Sequence, residues 1–342
     1  MLFSIVIPVY NVEEYLDECI QSILCQIEMI TAKCEILLVD DGSTDSSGTI
    51  CDSYEKNFPE IVKTFHKKNE GLLATRRYGF KKTMGEYIIN CDSDDLLEPN
   101  MLSLVKEAIE KYNNPDIILI NYNNYDGTCK KAAYENIFSN AKDSMIPKED
   151  VLREYMSGHS IVSVCEKILK RSCVDLDMDY TEYGRLSTGE DTLQSIEFFS
   201  NANTFVYLNK PLYDYRCGSG MTAKFDYNYY ATFKKIFEKI QTNKTTWNLK
   251  EFDQLFAIKV LQTAGRAVTQ TRYKKWSSIK EHKKYLSKIR NDNLFKDNIG
   301  YIKEVQAKLQ KDHVILLRML EKNQILLICI LLRIKNLLSN KN

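Results

Sequence analysis

Ten cysteines are present, yet no two form a C-x-x-C pair, and none of the four histidines has a His or Cys partner at zinc-finger spacing. That pattern favours free thiols in a reducing cytoplasm over disulfides or zinc. No G-x-G-x-x-G follows the first strand-like segment and no G-x-x-x-x-G-K-[ST] occurs anywhere, so a nicotinamide dehydrogenase and a P-loop ATPase are both disfavoured. The opening MLFSIVIPVYN lacks a basic region before its apolar residues and reads as a first core strand rather than a signal peptide. The apolar run in the tail, Ile325 to Leu332, falls far short of the roughly 20 residues that span a bilayer. Internal repeats and low-complexity tracts are absent as well.

What is there suits a folded protein of one large or two ordinary domains: 342 residues, 44% of them hydrophobic. The formal charge of +1 conceals a division. From residue 224 onward there are 25 Lys and Arg against 10 Asp and Glu, a net of +15, whereas residues 1–223 hold 22 against 36, a net of −14. The two parts face different surroundings. A basic last third suits nucleic acid, anionic lipid or simply a solvated helical surface.

Periodicity gives the order of elements. Leu2 to Val9 is an apolar run of the kind found in buried parallel strands. Asn11 stands where a helix N-cap would, with Glu14 at the capping-box position, before apolar residues at helical spacing from Leu16 to Ile27. Further strands are expected at 36–39, 61–65, 87–91 and 117–120, separated by helices, one closed by Gly85 and one begun near Pro99. The polar stretch 139–150 reads as a linker, and from Phe225 the chain is almost wholly helical in pattern. Strands alternating with helices imply an α/β fold with a mainly parallel sheet and helices on both faces, which binds ligands beyond the carboxyl ends of its strands.

Two acidic clusters follow strands directly, Asp40-Asp41 and Asp92/Asp94/Asp95, and so belong on one rim. Crowded carboxylates raise one another's pKa, so a cation is expected among them. Oxygen-only ligands select magnesium or manganese, which keep waters and a phosphate in their shell. Each cluster alone is equally well an ordinary turn, Asp41-Gly42 in particular. Two on one rim, with Arg76 and Arg77 on the intervening helix to meet phosphate oxygens, favour a diphosphate site.

In order along the chain, FSIVIPVYNVEEYLDECIQSILCQ, EILLVDDGSTDSSG, NEGLLATRRYGFKKTMGEYIINCDSDD, GEDTLQSIEFF and LYDYRCGSGMT resemble the blocks of the family 2 glycosyltransferases with a GT-A fold. The resemblance covers residues 1–222: a nucleotide-binding half to about 125, an acceptor side from about 147 to 222, and then an unmatched helical region 223–342 with an amphipathic tail at 313–338. It implies transfer of a sugar, with inversion, from a nucleotide-sugar, most often a UDP-sugar, to an acceptor hydroxyl with Mn2+ or Mg2+. Pro8, Val9 and Tyr10 would then line the nucleotide pocket and Asp41 would meet the uracil. Arg76 would approach the base or diphosphate, although Arg77 stands where many relatives have Asn and leaves open which arginine serves. Asp92-Ser93-Asp94 would be the D-x-D motif, with Asp94 the direct metal ligand and Asp92 nearer the ribose and the metal's waters. Asp191 would be the catalytic base, with Glu190 its neighbour and alternative. Lys167 and Arg216 fall where basic residues are expected, with helix capping or surface charge as the plainer account.

The context implied is bacterial surface polysaccharide or glycoconjugate assembly, with a glycan or lipid-linked acceptor and no nucleic acid, in the cytoplasm or peripherally at the inner membrane face. The basic tail suits a helix lying in an anionic membrane surface, with a packing or dimer helix as its alternative. A haloacid dehalogenase-type phosphatase shares an apolar strand followed by D-x-D, but Leu96 occupies the position where it needs Thr or Val. An inactive membrane-bound scaffold is the non-enzymatic alternative.

Overall fold

A computed structural model describes residues 1–138, 142–158, 160–218 and 225–339. The chain forms two compact units, one of Met1–Glu154 with His159–Ser219 and one of Tyr155–Gly158 with Gly220–Asn342. The expected boundary at 222/223, Ser139 to Ala141 of the expected linker, and the last four residues of the block LYDYRCGSGMT lie outside the described residues.

The first unit runs β1 (Phe3–Val9), α1 (Leu16–Ile27), β2 (Cys34–Asp40), α2 (Ser47–Asn57), β3 (Val62–His66), α3 (Leu72–Lys82) and β4 (Tyr87–Asn90). It continues with β5 (Leu96–Leu97), α4 (Met101–Lys111), β6 (Ile117–Tyr125), β7 (Lys130–Ala132), β8 (Ser144–Ile146) and α5 (Lys148–Ser157), whose residues from Tyr155 on count with the second unit, then β9 (Lys167–Lys170), α6 (Glu190–Asn201) and β10 (Phe205–Arg216). The strands form one sheet in the order β3-β2-β1-β4-β9-β6-β10-β5, with β7 on β6 and β8 on β10. The expected parallel order holds across β3-β2-β1-β4 and returns between β6 and β10. Antiparallel β9 lies between these halves, so the sheet is mixed.

Alternation along β1 decides which helix goes to which face. Phe3, Ile5, Ile7 and Val9 join Leu16, Ile20 and Ile23 of α1 and Leu102 and Val105 of α4 in one buried cluster. Val6 points the other way, toward α3, which approaches so closely that a Cβ on Gly79 would stand 2.4 Å from Val6 Cγ1. Glycine there lets α3, and with it Arg76, lie directly on the strands.

Two local expectations are corrected. Asn11 does not cap α1, whose N-cap is Tyr15; Asn11 adopts φ +48°, which Asn tolerates, and its Oδ1 accepts the Thr44 N–H at 2.8 Å. It ties the loop after β1 to the loop after β2. The stretch read as a linker contains β8, where Ile146 pairs with Phe205 of β10. Its short, polar sequence hid an edge strand.

The second unit is helical: α7 (Tyr229–Thr242), α8 (Lys244–Trp247), α9 (Phe252–Gln270), α10 (Ile279–Asn291), α11 (Asn293–Ile299), α12 (Ile302–Val305), α13 (Lys311–Glu321) and α14 (Ile325–Ser339). Helix α9 is buried along nearly its whole length, with α7, α11, α12 and α13 against it. At Gly265 the approach of α13 leaves no room for a side chain, since a Cβ would lie 2.5 Å from His313 Cγ.

Candidate active site

Helix α3 carries Arg76 beneath the carboxyl ends of the strands, 1% exposed. Its Nη2 donates to both oxygens of Asp92 at 2.8 and 2.9 Å, and its Nη1 donates to Asp191 Oδ1 at 2.5 Å. Burial opposes the guanidinium charge, but Asp92, Asp191 and Glu190 outweigh it and hold the proton more firmly than usual. The first acid of the D-x-D segment and the candidate base, far apart in sequence, thus share one rigid cation.

The three crowded carboxylates are not three charges. Burial, and then repulsion from Asp92 and Asp94, pushes Asp95 up to about 8, so it is largely protonated at neutral pH. It accepts the Tyr213 hydroxyl at 2.6 Å and the Arg216 N–H at 2.7 Å, while Tyr213 Oη accepts the Asp92 N–H at 3.1 Å. Arg216 Nε also donates to the Asp94 carbonyl at 2.8 Å, and its Nη2 pairs with Glu18 at 2.6 Å. The backbone of 92–95 is therefore gripped from β10. Ser93, between Asp92 and Asp94, is buried.

Those two carboxylates suit a hard cation that shares its shell with a diphosphate, which needs only one or two protein oxygens. Among the described residues no group of three or more His, Cys, Asp or Glu side chains is placed to hold a metal ion unaided. Asp92 and Asp94 offer oxygen donors of the kind such a cation takes.

On the other side of β1, Asp41 follows β2 and donates its N–H to the Val9 carbonyl at 2.8 Å. Pro8 and Val9 are buried at the end of β1 and Tyr10 is exposed beside them, so these four sequence candidates do come together. The Asp41 carboxylate accepts Lys67 Nζ at 2.7 Å and the N–H groups of Glu70 and Gly71 at 2.9 and 2.8 Å. Burial would raise its pKa, but these donors more than offset it and hold it below the usual range. Asp41 thus anchors the loop that leads into α3, a structural duty in addition to any contact with a base. Gly71 has φ +94°, a conformation that glycine adopts without strain.

Asp191 lies in the first turn of α6 after Gly189, which has φ +87°, and its side chain is one-quarter exposed. Glu190 behaves differently: burial, then the Asp191 charge, pushes it up to about 7, and its buried Oε2 has no hydrogen-bond partner. The structure also separates the two arginines. Arg77, one residue on, turns away to Glu197 at 3.1 Å and to the Asp175 carbonyl, with its guanidinium over Phe80 and Tyr180. Only Arg76 reaches the carboxylate cluster.

The structure buries Lys167, for which surface charge or helix capping was the plainer account, and brings in Tyr213, which the sequence did not single out. Lys167 is fully buried at the start of β9 and donates to the carbonyls of Val162 and Ser163 at 3.1 and 2.6 Å. Burial lowers its pKa to about 8, against the attraction of Glu166 and Asp191. The signal was a lysine embedded in the strand-like VCEKILK. Tyr213 carried none, because its role depends on β10 lying near the carboxylates.

A sequence-family model described as Glycosyl transferase family 2 matches residues 4–175. The glycosyltransferase GlyG of Streptococcus pneumoniae serotype 4 is 30% identical over 250 residues, covering 70% of this chain and 79% of that protein. The minor teichoic acid biosynthesis protein GgaB of Bacillus subtilis is 28% identical over 234 residues, covering 67% of this chain but 25% of GgaB. Among solved structures, residues 1–349 of S. aureus TarS in complex with UDP-GlcNAc superpose with a TM-score of 0.68 at 22% identity, over 95% of this chain and 88% of that one. That likeness bears out the expected GT-A fold.

Proposed function

The chain belongs to glycosyl transferase family 2 and is a glycosyltransferase, and from that premise we propose that it moves a sugar from a UDP-sugar to an acceptor hydroxyl with inversion, in the assembly of a bacterial surface glycan. Family membership removes the phosphatase reading. The UDP-GlcNAc in the TarS structure supports the donor class, and the teichoic acid role in the name of GgaB supports the acceptor class. The proposal takes the first unit as the catalytic domain. It also takes the basic second unit as the part that meets an anionic membrane at its inner face, where a lipid-linked acceptor would be found.

The observation that carries the reading is the bridge from Asp92 through Arg76 to Asp191. In the proposed reaction the acceptor oxygen attacks the anomeric carbon as the bond to the diphosphate breaks, and the acceptor proton passes to the Asp191 carboxylate. Arg76 holds Asp191 at a set distance from Asp92, so base and donor site are positioned by one side chain. Asp94 and Asp92 would hold a divalent ion, which neutralises charge on the departing diphosphate when bound. Pro8, Val9, Tyr10 and Asp41 would frame the nucleotide, with Ser93 packed behind the D-x-D carboxylates.

The test is a donor screen for nucleoside diphosphate released from UDP- and GDP-sugars in manganese, paired with Asp191→Asn. Asn preserves the first turn of α6, so folding and donor binding should persist while transfer falls by roughly 10²–10⁴-fold. Retention of more than about a tenth of wild-type kcat would remove Asp191 from the mechanism and leave Glu190 as the base. Full activity in excess EDTA, or of Asp94→Asn, would remove the metal.

A further inference from the structure

We infer that α14 lies in the headgroup plane of an anionic bilayer, docking through the stripe Leu326, Leu327, Ile330, Leu331 and Ile334. The inference deepens the membrane part of the proposed function and rests on it, but it uses only the second unit.

Helix α14 is apolar around most of its circumference, yet only half of it is covered. Ile325, Ile328, Cys329 and Leu332 are 4%, 0%, 4% and 2% exposed, while the five stripe residues are 42–49% exposed. At 100° per residue the five fall within an arc of about 140° on the side opposite the buried set. Five contiguous exposed Leu and Ile side chains are more than scattered surface apolars, and water is not their expected environment.

Charge selects the occupant. Arg333 and Lys335, both exposed, fall at the two edges of the arc, Lys335 within 3.2 Å of Asp312 at the protein surface; this is the arrangement of a helix whose cations meet phosphates as its apolar side enters the acyl boundary. Helix α10 also packs on α14 and carries exposed Lys283, Lys284 and Lys288, of which Lys283 is near enough to act electrostatically on the Cys329 thiol. From residue 224 the chain has a net charge of +15. A second copy docked on the same stripe about a twofold axis would set these cations against their own images, which charge repulsion opposes. No described helix is long and apolar enough to cross a membrane, so the inference places α14 along the surface. An anionic lipid surface supplies both an apolar layer and the opposite charge.

The full chain is tested by flotation with vesicles of phosphatidylcholine alone and of phosphatidylcholine with phosphatidylglycerol. The wild type should float with the anionic vesicles, remain in solution with the neutral ones, and lose binding in high salt. Leu327→Gln with Ile330→Gln should lower the partition coefficient at least tenfold. Arg333→Gln with Lys335→Gln should lower it about fivefold per charge on anionic vesicles only. Thermal melts confirm that each variant is folded. No flotation of the wild type, equal flotation on both vesicle types, or undiminished binding by the stripe variant overturns the inference. So does a wild-type dimer by light scattering that the stripe variant abolishes without any flotation. Nucleoside diphosphate release measured without vesicles keeps the transferase reading separate: turnover without flotation sinks only the docking, and flotation without turnover sinks only the chemistry.

Discussion

The two units break the usual inside-outside rule in opposite directions. The first buries charge: Arg76, Lys167 and Asp214 are at most 1% exposed and Asp41 only 3%. The second exposes grease, in the stripe along α14. Buried charges are costly unless paired, and exposed apolar patches are rare unless covered, so each departure marks a place where folding alone does not explain the sequence. The proposed function explains the first by chemistry among carboxylates, and the inference for α14 explains the second by a lipid surface. Substitutions can therefore be sorted by whether they cost stability, function or both.

The largest separation is expected between the neighbouring arginines. Glu197, 7% exposed, depends on Arg77, and without it would keep only the Tyr180 hydroxyl and the Asp175 N–H. Arg77→Met leaves an uncompensated buried charge and should cost about 3–5 kcal/mol of unfolding free energy. Donor turnover per folded molecule should be nearly unchanged. Arg76→Met leaves Asp92 and Asp191, each a quarter exposed, to be taken over by water. It should cost less stability yet reduce transfer by a hundredfold or more, on the order of one lost charge-stabilising donor. Urea denaturation and turnover measured on both variants should cross over in this way. Equal stability losses with turnover intact would erase the distinction drawn between a catalytic and a structural arginine.

The same pair shows how far the sequence could be read. The ordered motifs and strand-helix alternation made the family, the parallel half of the sheet and the rim position of both acidic clusters legible. Whether Arg76 or Arg77 faces the rim was not, because adjacent helical residues differ by 100° and the choice is fixed by Gly79 resting on Val6. The partners of Asp41 were hidden for a related reason: they are mostly backbone N–H groups of a loop, which carry no side-chain signature. Reversed β9 was missed because pairing direction leaves no mark on a four-residue segment with a lysine at each end. Of the α14 face, only the apolar composition and its basic flanks were legible. Which side is covered depends on α10 and α13.

A smaller effect tests whether exposed charge in the first unit matters. His66 is held between Asp40 at Nδ1 and Asp52 at Nε2, both at 2.9 Å, joining β2, β3 and α2. Its pKa is raised, chiefly by Asp40 and then by Asp52. A raised folded-state pKa gives stability that is complete below the unfolded value, about 6.5, and is lost as pH rises through the folded value. The side chain is 48% exposed, so solvent screening limits the gain to less than about 1 kcal/mol. Wild-type stability relative to His66→Gln should be greatest near pH 6 and shrink above neutrality. A difference that grows with pH would show that the clamp acts through the neutral imidazole.

The smallest effect belongs to the second unit, where a null result is informative. If the stripe on α14 is made for a surface outside the protein, its side chains contribute little to folding. Leu327→Gln and Ile330→Gln should then shift unfolding free energy in solution by no more than about 0.5 kcal/mol, the range of ordinary surface substitutions. Ile328→Ala and Leu332→Ala, one turn of the helix apart on its covered side, should each cost about 2–5 kcal/mol through lost burial and the cavity left behind. The contrast holds helix, composition and neighbourhood nearly constant and varies only the face. Equal losses on both faces would mean that the stripe is covered in the folded protein. Its exposure would then be no guide to function, and the opposition between the two units would reduce to the buried charges of the first.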